Sequence, residues 1–538
     1  MKVLAVIPAR GGSRGIPRKN VRLLADKPLI YYAISNGQQS KYITDLVVIT
    51  DDAEIKYVAE NCGAEIINET PEMAEGHITL DPVVYSAVNE AEKKYGIYDI
   101  VVTLQATSPL LTVDVLDAAI EDFIKNNYDT LICVVNKPHL SWGKDEQGKI
   151  VPLYKERLSR QQLPPNYLET GAFFISKREV VKENSRFGKN IGVFEMPEEL
   201  AVDIDDNNDW IICEKKLNRK KIILRCDAYS EIGTGHVYHC LTLAYKLIEH
   251  DALFVLNEKH QLGIEKVKNS FLPYITIKDD KDFVEYLKNN HVDIVVNDCL
   301  DTTKEYIKKL KQYVKKVVTI EDEGTGIEVA DIVINDLYED NPGNNIYAGG
   351  NYIALRDEFL ITKPKEFNPK LENILVLFGG TDPLDLTKRI NEIAQNEKYS
   401  NIKFTFILGM GYNKEEQITS KENIEVLRHV NYISKYMKEA DLAITSQGRT
   451  VYELASMGTP AIVIAQNERE QKHTFAEMGN GFINLGLGST VDDQTINNTL
   501  DWLIATPEIR KKMKELMLSK DLKNGIKNEI ELILKEVK

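Results

Sequence analysis

At 538 residues the chain is too long for a single hydrophobic core, and roughly two to four domains are expected. Its 43% hydrophobic content is that of a globular protein, and no apolar run is long enough to span a bilayer. A formal charge of −15 argues against nucleic acid as a main partner and makes any cluster of cations a local device suited to phosphate. The apolar run Val3 to Ile7 is too short for a signal-peptide core, so a cytoplasmic protein with no membrane partner is expected. Six cysteines are scattered without a C-x-x-C pair, which fits a reduced compartment and small core residues better than structural zinc.

Val3 to Ile7 reads as a buried parallel strand. It opens into Ile7-Pro-Ala-Arg-Gly-Gly-Ser-Arg-Gly-Ile-Pro-Arg-Lys-Asn20, a loop carrying Gly11, Gly12 and Gly15 among Arg10, Arg14, Arg18 and Lys19. Glycines let backbone N–H groups crowd onto an anion, and the cations neutralise it. The loop is not a Walker A sequence. A helix follows over Pro28–Gln39, a strand over Leu46–Thr50, a helix over Asp52–Glu60, and strands over Ile100–Leu104 and Thr130–Val135. This alternation predicts a parallel α/β sheet.

Three further segments stand out in the first half. Gln105-Ala-Thr-Ser-Pro109 ends a strand, where Gln105, Thr107 and Ser108 suit a base or sugar pocket; it reads equally as an N-cap turn for the next helix. Arg160 precedes the strand Ala172–Ser176, and its guanidinium could fork onto a carboxylate or lie solvated at the surface. In Val202-Asp-Ile-Asp-Asp-Asn-Asn-Asp209, Asp203 and Asp205 alternate on extended chain and point to one side. Two such oxygen ligands suit Mg²⁺, which takes one or two carboxylates beside phosphate oxygens; the alternative is an acidic turn before a helix, with Asp209 supporting it.

These segments resemble, in order, the motifs of the CMP-nonulosonic acid (acylneuraminate) cytidylyltransferases. The likeness covers essentially all of 1–217, with Ala106 in place of the usual proline. The resemblance implies transfer of CMP from CTP to an acid sugar with release of pyrophosphate. It implies that Arg10, Lys19 and the loop residues Ala9, Gly11, Gly12 and Ser13 hold the triphosphate. Asn20 and Gln105 would contact nucleotide or sugar, Arg160, Thr107 and Ser108 the acid sugar, and Asp203 and Asp205 the magnesium.

Asn218-Arg-Lys-Lys221 is a short junction without a Pro/Gly linker, so the halves are expected to pack rather than float. The second half opens with the strand from Ile222 and the turn Gly233-Thr-Gly-His236, then a helix over Val237–Glu249. Its N-terminus favours phosphate or developing negative charge. His236 there is placed for proton transfer, or else caps the helix. Asp298, Glu321, Asp322 and Asp336 end strands and are read as loop caps. A Pro/Lys-rich stretch over 363–371 separates two subdomains. The strand–glycine pattern restarts at Ile374, and a loop containing Gly448, Arg449 and Thr450 at a helix start suits a diphosphate. Glu453, one turn on, could accept from ribose hydroxyls or complement the helix dipole. Residues 506–538 form a Lys/Glu-rich helical tail that packs by one face.

This half resembles the PseG family of UDP-sugar hydrolases and, more distantly, the MurG glycosyltransferases. The resemblance rests on Gly233–His236, Tyr352–Phe359, Phe378–Pro383 and Ser446–Glu453, and departs at the charged Asn467-Glu-Arg-Glu-Gln471. It implies that His236 is a catalytic base, that Asn467 lies near the reacting sugar, and that water displaces UDP. The expectation is therefore an α/β protein of three parts. A nucleotidyltransferase Rossmann-like sheet (1–217) precedes a GT-B-like pair, an N-lobe with the catalytic His (218–365) and a UDP-binding C-lobe (366–538). Its partners would be small nucleotides and acid sugars, with a homodimer formed through the cytidylyltransferase domain. A glycosyltransferase or a non-catalytic sugar-nucleotide sensor in the second half are the alternatives.

Overall fold

The structure, a computed structural model, describes residues 1–12, 15–69, 79–229, 233–338, 343–428, 430 and 432–536. The backbone forms two compact units, 1–219 and 220–538. Among the described residues no helix is long and apolar enough to cross a membrane.

The first unit is built on a seven-stranded sheet. In spatial order its strands are Ile191–Glu195, Thr130–Asn136, Tyr167–Lys177, Ile100–Leu104, Val3–Pro8, Asp45–Thr50 and Glu65–Asn68. Val3 to Ile7 are fully buried, as a central parallel strand covered on both faces requires. Helix starts follow their side-chain caps: Asp52 accepts from Glu54 N and Ile55 N, and Thr112 from Val115 N. The expected parallel sheet is corrected at one strand, since Tyr167–Lys177 runs antiparallel to both neighbours. That strand also begins earlier than the sequence pattern indicates. Its register shifts between Glu169 and Phe174, and Gly171 turns the chain there at φ 73°, which hides the period-two signal.

The second unit holds two sheets, all of whose pairings are parallel. One has seven strands, in the order Tyr274–Ile277, Asp251–Asn257, Lys221–Cys226, Val292–Asp298, Val314–Ile320, Ile332–Asn335 and Ile346–Ala348. The other has six: Ile424–Arg428, Lys403–Leu408, Asn373–Leu377, Leu442–Thr445, Ala461–Ala465 and Phe482–Leu487. Each sheet is one lobe of a GT-B-like arrangement. The tail resolves into two helices, Pro507–Leu518 and Gly525–Leu534. The last returns to the first lobe and buries Ile526, Leu532 and Ile533 in its core.

Candidate active sites

In the first unit three distant segments converge beyond the strand ends. The Lys19 ammonium, largely buried, donates to the Ile204 carbonyl and lies 4.0 Å from an Asp205 carboxylate oxygen. Ile204 N donates to the Thr107 carbonyl at 2.9 Å, and the Ile204 side chain is buried. Asp203 and Asp205, on either side of it, are thus presented away from the core. Gly171 sits between Gln105 and Asp203: a Cβ there would lie 3.2 Å from Gln105 Oε1 and 3.3 Å from Asp203 Oδ2.

Asp203 Oδ1 is buried and accepts no hydrogen bond, and the hydroxyls of Thr107 and Ser108 are likewise buried without partners. Burial pushes the Asp203 carboxyl above its ordinary value; the Asp205 charge adds to this, while the Lys19 ammonium opposes it. Among the described residues no group of three or more His, Cys, Asp or Glu could enclose a metal. A buried orphan carboxylate oxygen beside the exposed Asp205 nevertheless fits Mg²⁺, a hard cation that needs only one or two protein carboxylates. Asp209 closes a capping box with Asp206 and accepts from Asp205 N at 3.0 Å, so it holds the turn.

The glycine loop is braced from within. Gly11 N donates to Asp51 Oδ1 at 3.0 Å, and Asn20 Nδ2 donates to the Arg10 carbonyl at 3.2 Å. Asn20, expected to contact nucleotide or sugar, braces the loop through that amide. Ala9 is buried, Arg10 is exposed, and the Cβ position of Gly12 faces open space. Ser13 lies outside the described residues. The Arg160 guanidinium is exposed and 3.7 Å from Glu198, outside the roughly 280 Å³ cavity that Gln105 and Gly171 line. That cavity holds Arg186 instead. Arg186 Nε donates to Asp81 Oδ1 at 2.6 Å, Nη1 donates to Thr103 Oγ1 at 3.0 Å, and its plane lies over Phe174. Nothing in the sequence around Arg186 marks it out.

In the second unit a cavity of about 600 Å³ lies between the two lobes, lined by His236, Gly448, Thr450, Glu453 and Asn467 among others. The turn before His236 meets the opposite lobe directly: a Cβ at Gly380 would fall 2.7 Å from Thr234 Oγ1. His236 Nδ1 lies 2.5 Å from Asp298 Oδ1. Asp298 Oδ2 lies 2.8 Å from His239 Nδ1, whose other ring nitrogen faces Glu529. Burial alone would lower the His236 pKa, but Asp298 and then Glu321 lift it above the ordinary histidine value. With Nδ1 donating to Asp298, the lone pair of the neutral ring is on Nε2.

Several readings change here. Asp298, Glu321 and Asp336 are not caps: they gather around His236, His239 and Arg449. Only Asp322 caps a loop, accepting from Thr302 N, Thr302 Oγ1 and Gly324 N. Arg449, which lines the same cavity, engages its guanidinium within the protein: Nη1 donates to Asp336 and Nη2 to Glu321 at 2.5 and 2.6 Å. Asn467 caps a short helix by accepting from Glu470 N. Glu453 is paired with Arg356, whose Nε and Nη2 both donate to Oε1 at 3.0 and 2.8 Å, leaving Oε2 unengaged by that pair. His239, missed in the sequence, lies three residues beyond His236 on one helix face, and that spacing was the available signal.

The sequence profile described as cytidylyltransferase matches residues 4–202, and that of the glycosyltransferase family 28 C-terminal domain matches residues 374–526. The pseudaminic acid cytidylyltransferase of Campylobacter jejuni is 34% identical over 218 residues, covering 39% of this chain and 93% of that protein. The chain belongs to the cytidylyltransferase family. The chain is also 28% identical over 295 residues to N-acylneuraminate cytidylyltransferase A of Danio rerio, of whose length it spans 65%. A Helicobacter pylori protein named pseudaminic acid cytidylyltransferase and UDP-2,4-diacetamido-2,4,6-trideoxy-beta-L-altropyranose hydrolase is 24% identical over 502 residues, 89% of this chain and 91% of that one.

Proposed function

We propose that the chain is a bifunctional enzyme of nonulosonic acid biosynthesis. The first unit transfers CMP from CTP to an acid sugar of the pseudaminic type. The second hydrolyses a UDP-2,4-diacetamido-trideoxyhexose to free sugar and UDP. The observation that carries the first activity is the meeting of the glycine loop, Gln105 and the Asp203–Asp205 pair at one end of the sheet. The one that carries the second is the Asp298–His236 contact beside a cavity between two parallel-sheet lobes.

In the first reaction the anomeric hydroxyl oxygen bonds to the α-phosphorus, the bond to pyrophosphate breaks with its electron pair leaving on pyrophosphate, and the hydroxyl proton passes to solvent water. Such transfers depend on positioning and charge neutralisation. Arg10, Lys19 and the loop amides would face the triphosphate, and Gln105 the nucleotide or sugar. Asp203 and Asp205 would hold Mg²⁺, which when bound supplies positive charge to the phosphate oxygens. In the second reaction a water oxygen bonds to the anomeric carbon as His236 Nε2 takes its proton. The bond to the β-phosphate oxygen breaks, its electron pair leaves with UDP, and the configuration inverts.

The first unit would also form the homodimer. Trp142, Ile150 and Leu153, on or beside the hairpin Trp142–Lys144/Ile150–Pro152, are exposed, as are Ile191 and Val193 on the edge strand, which supports that reading.

The test is to follow two assays on one preparation: CMP-sugar formation from CTP, Mg²⁺ and a panel of nonulosonic acids, and UDP release from the UDP-sugar without acceptor. Asp205→Ala should abolish the first and spare the second, and His236→Ala the reverse. UDP release only with an added acceptor would make the second unit a glycosyltransferase. Loss of both activities by either substitution would refute independent sites.

A further inference from the structure

His239 is fully buried on the helix Gly235–Lys246, with a carboxylate at each ring nitrogen. Nδ1 lies 2.8 Å from Asp298 Oδ2, and Nε2 lies 3.0 and 3.1 Å from the two oxygens of Glu529. A neutral imidazole has one N–H and would turn a lone pair on one of these carboxylates. Protons on both nitrogens satisfy both. Arg449 Nη2, 3.2 Å from Nδ1, has its nearer acceptors in Glu321 and Asp336.

Glu529 belongs to the last helix, Gly525–Leu534, whose buried face is otherwise apolar. That helix is fixed on the first lobe by Lys316, whose ammonium donates to the Leu532, Ile533 and Lys535 carbonyls at 2.6 to 2.9 Å. A carboxylate at zero exposure there is costly unless it meets a cation, and His239 is the cation it meets.

Resting on the hydrolase reading above, we propose that His239 and Glu529 are positioning residues for that reaction: together they neutralise the outer oxygen of Asp298, so that Asp298 orients the His236 ring without fixing a proton on it. The groups facing this chain from other elements are Glu321, Asp336, Arg449 and His473. Their four carboxylates, counting Asp298 and Glu529, exceed the fixed charges of Arg449 and His239. The surplus draws protons to His236, and without the His239 cation the whole charge of Asp298 would add to that pull.

Histidine NMR titration of the full chain, with His236→Gln and His239→Gln used for assignment, reads this directly. His239 should stay protonated well past neutrality, with a midpoint lifted toward about 10 by Glu529 and Asp298 against burial and Arg449. Glu529→Gln should lower the His239 midpoint by about one unit or more. His239→Gln/Glu529→Gln should raise the His236 midpoint by about one unit and move the acid limb of UDP release with it. A wild-type His239 that titrates at its ordinary value overturns the proposal. So does an unmoved His236 midpoint in the double variant. A wild-type protein that releases no UDP would instead count against the hydrolase reading, and the titrations would still decide the pair.

Discussion

The α-carbon of Gly15 lies directly against the backbone carbonyl of Asp205, with no room for a methyl group between them. The loop proposed to hold the triphosphate and the segment proposed to hold the metal are thus in backbone contact. Neither can shift without the other. Gly15→Ala should lower CMP transfer by ten- to a hundredfold, because misplacing aligned groups by about 1 Å costs that order of rate. UDP release should be unaffected. Steady-state kinetics of both reactions check this, and a fully active Gly15→Ala enzyme would show that the contact does not matter.

The cavity lined by Gln105 and Gly171 also holds Arg186 and not Arg160, and if the acid sugar binds there a second expectation follows. Arg186→Gln should raise KM for the acid sugar about tenfold or more, the scale of one lost charge-assisted pair. Arg160→Gln, at the surface and 3.7 Å from Glu198, should change KM less than about threefold. Because Arg186 also pairs with Asp81, thermal melts of Arg186→Gln should accompany the kinetics. Equal effects of the two substitutions would place the sugar carboxylate elsewhere.

Both expectations depend on features with very different visibility in the sequence. The buried strand from Val3, the glycine loop and the Gly-Thr-Gly-His turn are local patterns and could be read directly. The acids were visible, but their roles were not. Asp322 and Asp298 both end strands, yet one caps a loop while the other joins two imidazoles, and only the distant segment packed against each strand end decides which: Thr302 for Asp322, the helix Gly235–Lys246 for Asp298. Glu529 is 290 residues from His239, in a helical tail whose Lys/Glu composition reads as a solvated face. Arg186 and Gly171 depend on an antiparallel strand with a shifted register, which breaks the periodicity that strand reading needs.

Glu453 offers a third expectation. Arg356 occupies only Oε1, and Glu358, 3.0 Å from Arg356 Nη1, is a second anion for the guanidinium. Glu453→Gln should therefore fold normally. It should weaken UDP binding about tenfold, or about 1.4 kcal/mol, while kcat changes less than about threefold. Calorimetric titration with UDP measures the first number. Unchanged UDP affinity would return Glu453 to a structural partner of Arg356.

The buried charge network predicts an unusual pH dependence of stability for the second unit. Burial raises the Asp336 carboxyl to about 6 and the Glu470 carboxyl to about 7, and the His239 midpoint stands near 10. All three bind protons more tightly in the folded state. Their contribution is complete below the unfolded values, near 4 for the carboxyls and 6.5 for histidine, and is lost as pH rises through the folded ones. His473, pushed down by burial, opposes this only up to about pH 6.5, and Lys316, lowered to about 8, opposes it only from there upward. Between pH 6.5 and 8 the unit should lose stability by roughly 1.4 kcal/mol per pH unit for each proton retained in the fold. Trp502 lies in this unit, and Trp142→Phe/Trp210→Phe would leave it as the single fluorescent tryptophan of the chain. Its urea midpoint should fall steadily from pH 6.5 to 8, and a midpoint that rises over that interval would mean that the network is not protonated as its geometry requires.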